Sequence, residues 1–108
     1  MFEKAIKIQG DVFFVKVDVI PETKKIVKPS KEGYIIAKGE ITGHAHKIED
    51  VVNVIVYQVD DVYYIECLEP VSVMHDEHKP ITLDPGIWKV GIQREYDYMK
   101  EITKVVRD

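Results

Sequence analysis

The chain holds four histidines, and they fall in two tight pairs: His44 and His46 in "ITGHAHKIED", His75 and His78 in "VMHDEHKP". Imidazole is the commonest metal ligand and the side chain best placed to exchange a proton near neutrality. On a strand, residues i and i+2 project from one face, so His44 and His46 stand side by side if their segment is extended. His75 closes an apolar stretch and His78 follows in a polar loop, a spacing that lets two imidazoles converge. Four imidazoles from two segments would close a tetrahedral zinc-type site. Three, with one position left to water, would make an open catalytic site for zinc, iron, nickel or manganese. Glu40, Glu49, Asp76 and Glu77 lie close enough in sequence to complete the shell or to orient a ring. The plainer alternative is that histidines beside turns serve as surface or capping residues, and no cysteine-containing zinc signature accompanies them.

Other chemistry-bearing residues are sparser. "GIQREYDY" places Gln93 and Glu95 on one strand face and Arg94 and Tyr96 on the other. Arg94 is one of two arginines in a lysine-rich chain, and its planar fork suits phosphate or carboxylate. Arg94, Glu95, Tyr96 and Glu40 are therefore candidates for orienting the histidines or binding an anion beside them; for Arg94 and Tyr96 a structural ion pair with a half-buried tyrosine is the simpler reading. Cys67 alternates with Ile65 in "YIECLE" and is expected to face the core as a small hydrophobe. Ser30 and Ser72 lie in no nucleophile elbow. Phosphate-cradling glycine loops and dinucleotide fingerprints are absent.

The elements that must position these residues are strands. "DVFFVKVDVIP" alternates Phe14, Lys16 and Asp18 against Phe13, Val15, Val17 and Val19 before Pro21 stops it. "ETKKIVKPSKEG" reads as an exposed loop. "YIIAKGEIT" is a strand whose Gly39 suggests a bulge or a close backbone approach, and Gly43 turns the chain into "HAHKI". "DVVNVIVYQV" and "VYYIECL" are joined by Asp60 and Asp61 as a hairpin. "VSVMH" is a further strand, and "PITL", the turn at Asp84 to Gly86 and "IWKVGIQREY" read as another hairpin. The tail "DYMKEITKVVRD" fits a strand or a helical turn equally. The aromatics Phe13, Phe14, Tyr57, Tyr63, Tyr64 and Trp88 fit core or cross-strand pairs better than a base-stacking platform. The expected architecture is all-β, one domain over residues 1–108, a small barrel or sandwich of roughly seven to nine short strands.

Composition narrows the function classes. A chain of 108 residues, 45% hydrophobic and 31% charged, can bury a real core. Its net charge of −4 argues against binding nucleic acid by phosphate neutralisation. No apolar run is long enough to span a membrane, and "MFEKAIKIQG" lacks a secretory apolar region. A lone cysteine fits a reducing cytoplasm. One asparagine, few glutamines and abundant Lys, Glu, Val and Ile match the bias of heat-adapted proteins.

"GEITGHAHKIE" resembles the first cupin motif, glycine then HxH then glutamate, although Glu49 comes early and the "DPG" turn follows His75 and His78 where a cupin would have it precede. "QGDVFFVKVDVIP", "IIAKGEITGHAHKI" and "MHDEHKPITLDPGIWKVGIQREYD" together resemble a family of small prokaryotic and phage-encoded proteins. Those share an early GD, GExTGHAH and HxxHxPIxLxPGxYxVxxQREY, with Trp88 here at the aromatic position. That resemblance covers nearly the whole chain and implies one module, with no activity attached.

Two functions follow from different classes. One is a metal-binding β domain, in the limit a small metal-dependent enzyme, with His44, His46, His75 and His78 as ligands. The other is a non-enzymatic interaction module accessory to a phage or mobile element, its histidines a structural cluster, with a homo-oligomer among its forms. Metal-free acid–base cleavage of RNA by two histidines ranks behind both, because the chain is acidic.

Overall fold

Short runs of β-branched and aromatic residues punctuated by Gly, Pro and Asp make strands and little else. The structure, a computed structural model, describes residues 5–38 and 45–92, the side chains of 37 and 38 excepted. Among the described residues there are ten strands and no helix, so the all-β expectation holds. They are β1 (Ile6–Gln9), β2 (Val12–Val17), β3 (Lys25–Ile26), β4 (Tyr34–Lys38), β5 (Ala45–Ile48), β6 (Val54–Val59), β7 (Val62–Cys67), β8 (Val71–Val73), β9 (Ile81–Leu83) and β10 (Gly86–Ile92). The count exceeds the expected seven to nine: the two-residue β3 lies in a stretch read as a loop, and no strand was expected at β1.

Six strands form one antiparallel sheet in the order β1-β2-β10-β7-β6-β3, and β4-β5 and β8-β9 are separate two-stranded ribbons. No sheet closes on itself among the described residues. The Asp60–Asp61 turn joins β6 to β7 as expected, with Asp60 at φ 53°, and Tyr57 faces Tyr64 across that hairpin. The expected hairpin between "PITL" and "IWKV" does not form. Both edges of β10 are occupied, by β2 and by β7, so β9 has no edge of β10 to join and pairs with β8. The irregularity expected at Gly39 cannot be placed, since that residue lies outside the described ones. A register shift does occur between Ile35 and Ala37 of β4.

All three sheets contribute to one core. Val12, Phe14 and Trp88 from the large sheet meet Ile36 and Ile48 from β4-β5 and Val71, Val73 and Leu83 from β8-β9. The alternation read in β2 does not separate a wet face from a dry one: Phe13, Phe14, Val12 and Val15 are all buried. Strand β2 is central, with its two edges paired to β1 and β10. Trp88 is fully buried and donates its indole N–H to the Asp84 carbonyl at 2.8 Å, closing the "DPG" turn. No helix among the described residues is long and apolar enough to cross a membrane.

Cys67 faces the core as expected. Burial pushes its thiol up to about 12, so the nucleophilic thiolate is scarce at neutral pH. Native protein is expected to resist iodoacetamide and to take up label only once denatured. Native-state labelling as fast as that of a free thiol would show that the core around β7 opens.

Candidate functional site

One pair of backbone hydrogen bonds brings the two histidine segments together. Lys47 of β5 and Met74, just past β8, bridge antiparallel, with Lys47 N–H donating to Met74 O at 2.9 Å and Met74 N–H to Lys47 O at 2.7 Å. In antiparallel register the residue before Lys47 opposes the residue after Met74, so His46 faces His75. Their ring centroids are 4.4 Å apart, and His75 lies 4.6 Å from His78 along the loop. The rings run from the fully buried His46 through the half-buried His75 to the exposed His78.

The third wall of the site is the β1–β2 turn, Gln9-Gly10-Asp11. Gln9 is 2% exposed, although Ile8 beside it is 53% exposed, the reverse of what alternation leads one to expect. Its amide nitrogen donates to the Val73 and Lys79 carbonyls, both at 2.9 Å. Both of those partners are acceptors, which fixes the amide orientation and leaves Gln9 Oε1 facing His46 Nδ1 at 2.8 Å. His46 must then carry its proton on Nδ1. The neutral ring therefore presents a bare lone pair at Nε2, which is buried and has no hydrogen-bond partner. Asp11 Oδ1 stands 3.5 Å from that nitrogen, and its side chain is half exposed. His78 lies over Gly10, where a Cβ would come within 2.6 Å of its Nε2 and require the exposed ring to shift, and the φ of 61° there favours glycine.

Electrostatics keep His46 neutral. Desolvation lowers its pKa, His75 adds to the lowering, and Asp11 opposes both. On acidification the unfolded chain takes up this proton before the native one, so His46 weakens the fold as pH falls below the ordinary histidine value near 6.5.

Of the residues the sequence singled out, His46, His75 and His78 come together. His44, Glu40, Arg94, Glu95 and Tyr96 lie outside the described residues. Asp76 and Glu77 are exposed in the loop, where the Glu77 backbone N–H donates to His75 Nδ1 at 3.0 Å. Gln9 and Asp11 were missed as site residues; "QGD" entered the sequence reading only as part of a family-like motif. The rings follow one another in a row, tilted by 45° between His46 and His75 and by 44° between His75 and His78. Among the described residues no group of three or more His, Cys, Asp or Glu is arranged to hold a metal ion as it stands.

A family model covers residues 8–93, from β1 past the end of β10, and so includes every wall of this cluster. The chain belongs to the DUF8820 family, a domain of unknown function. No curated protein and no solved structure matches it. The DUF8820 domain thus contains "QGD", "HAH" and "HDEH" within one matched span.

Proposed function

We propose that this domain binds one divalent metal ion at the histidine cluster, on an all-β scaffold of the sandwich or barrel kind. The observation that carries the reading is the lone pair of His46 Nε2, buried, unpartnered and held in that tautomer by Gln9. A metal-ligating histidine characteristically donates its other ring N–H to an oxygen that fixes its orientation, the role Gln9 Oε1 fills here. A neutral nitrogen facing a carboxylate across 3.5 Å gains little from it, whereas a cation between the two would be bound by both. His46, Asp11 and the exposed His78 are the three ligands we assign. Nitrogen and oxygen donors without thiolate suit zinc, iron, nickel or manganese. Three protein ligands would leave a position open to water or substrate.

A second reading is a structural cluster in an interaction module. It is favoured by the ring packing and by the way Gln9 ties β1 to β8 and to the segment before β9. Metal content decides between them. Untagged protein purified without added metal is expected to carry close to one zinc, iron, nickel or manganese per chain by plasma mass spectrometry. Chelation is expected to lower its melting temperature. Metal-free protein whose melting is unmoved by added zinc, cobalt or nickel would leave the structural cluster as the reading that survives.

A further inference from the structure

The six-stranded sheet is apolar on both of its faces. One face carries Val12, Phe14, Val56, Ile65, Trp88 and Val90 into the central core shared with the two ribbons. On the opposite face the cross-strand register runs one row through all six strands: Ile6, Val15, Lys89, Tyr64, Tyr57 and Ile26. Phe13, Val15 and Tyr64 on that face are buried, yet they stand outside the central core. The Phe13 ring lies over Gly91, where a Cβ would come within 2.3 Å of it, so the middle of the face is flat. Burial is deepest on β2 and β7, which flank β10, and fades outward. Ile8 on β1 is 53% exposed and Ile26 on β3 is 71% exposed. From β2 to β7 is two strand spacings, about 10 Å, the width of one helix with its side chains. The connection from β2 to β3 does not supply this cover, since residues 18–26 are exposed apart from the half-buried Ile20.

The chain leaves the sheet at Ile92, the end of the middle strand of that footprint. Residues 93–108 follow and lie outside the described ones. In "DYMKEITKVVRD" the apolar Tyr98, Met99, Ile102, Val105 and Val106 recur at helical spacing, with Lys100, Glu101 and Lys104 between them. A strand is the other form open to this stretch. Both edges of β10 are filled, however, and pairing at the free edge of β1 would leave Phe13, Val15 and Tyr64 bare. We propose that residues 97–108 form an amphipathic helix that returns over β10 and seals this face between β2 and β7. At about 1.5 Å per residue such a helix is about 18 Å long, against about 20 Å for the seven residues of β10. The domain then has a second, smaller core of helix on sheet behind the all-β one. No histidine takes part, so this proposal stands apart from the metal reading.

The test uses the full chain, isotope-labelled, in solution. Nuclear Overhauser contacts are expected from the methyls of Ile102 and Val105 to Phe13, Val15 and Tyr64. A sample mixing labelled with unlabelled chains is expected to place those contacts within one chain. Ile102→Glu is expected to lower the melting temperature by on the order of 10 °C or more, the loss of one buried aliphatic side chain in a domain of this size. Lys104→Glu, on the polar side of the stripe, is expected to shift it by about 4 °C or less. Should Ile102→Glu fail to fold, the wild-type contacts decide alone. Contacts found only between chains would make this face an interface between copies and overturn the proposal. So would contacts from residues 1–4 in place of the tail, random-coil shifts throughout 97–108, or an Ile102→Glu protein that melts like Lys104→Glu.

Discussion

Replacing Gln9 by leucine is expected to destabilise the fold by about 2–4 kcal/mol and to weaken cobalt or zinc binding by roughly ten- to a hundredfold. Leucine is close in volume, so packing is largely kept and the loss is one of hydrogen bonds. The Val73 and Lys79 carbonyls each lose a donor, and His46 Nδ1 loses its acceptor in a buried setting. An unsatisfied buried polar group costs about 1–3 kcal/mol, and the half-exposed surroundings of Lys79 let water repair part of the damage. Without Oε1 nothing holds the proton of His46 on Nδ1, and the tautomer with its lone pair at Nε2 ceases to be favoured. Gln9→Glu separates the two roles. A carboxylate still accepts from His46 Nδ1 but donates to neither carbonyl, so it should bind metal better than Gln9→Leu while remaining unstable. Urea unfolding and cobalt titration of both variants measure this directly. Gln9→Leu protein with wild-type stability and wild-type metal affinity would remove Gln9 from the site.

What the sequence disclosed and what it hid follow one physical division. Local pattern revealed most strands, the Asp60–Asp61 hairpin, the burial of Cys67 and Trp88, and the two histidine segments. Each of these depends on a residue and its near neighbours along the chain. Pairing between distant segments was not legible. The edge preference that sends β9 to β8 is decided by β2 and β7 having already filled both sides of β10. The opposition of His46 to His75 depends on the single Lys47–Met74 bridge between two ribbons. Gln9 was hidden for a sharper reason. Its strand reads Ile-Lys-Ile-Gln, and alternation assigns the glutamine to solvent, yet the structure buries it and exposes Ile8. A fold that buries an amide and exposes an isoleucine departs from the cheapest arrangement, and such departures concentrate where a site needs them. The inversion at Gln9 accords with the site proposed at the far end of β1.

Gly33→Ala is expected to be the more damaging change, at about 3 kcal/mol or more, although Gly33 touches none of the histidines. Its φ of 98° lies where side-chain-bearing residues are strained. It also lies in a tight turn, with Ser30 N–H donating to Gly33 O at 2.8 Å and Gly33 N–H to Ser30 O at 3.1 Å. A Cβ there would collide with the Ile48 carbonyl oxygen and approach Glu49 Cα at 2.9 Å. Those are backbone atoms at the end of β5, with no rotamer to change, so relief requires β5 to move from the start of β4. Tyr34 pairs with Ile48 there, and both are buried. Because His46 precedes Ile48 by two residues on the same strand face, the displacement reaches the site. The His46–Gln9 contact and the Lys47–Met74 bridge should both loosen. The expected result is a melting temperature lower by on the order of 12 °C or more, at 4–8 °C per kcal/mol for a domain of this size. Metal affinity should fall with it even at temperatures where the variant is still folded. A Gly33→Ala protein destabilised by less than about 1 kcal/mol, with the His46 tautomer unchanged in its nitrogen-15 spectrum, would mean that the turn relaxes without moving β5. The position of His46 would then depend on the contacts of its ring alone.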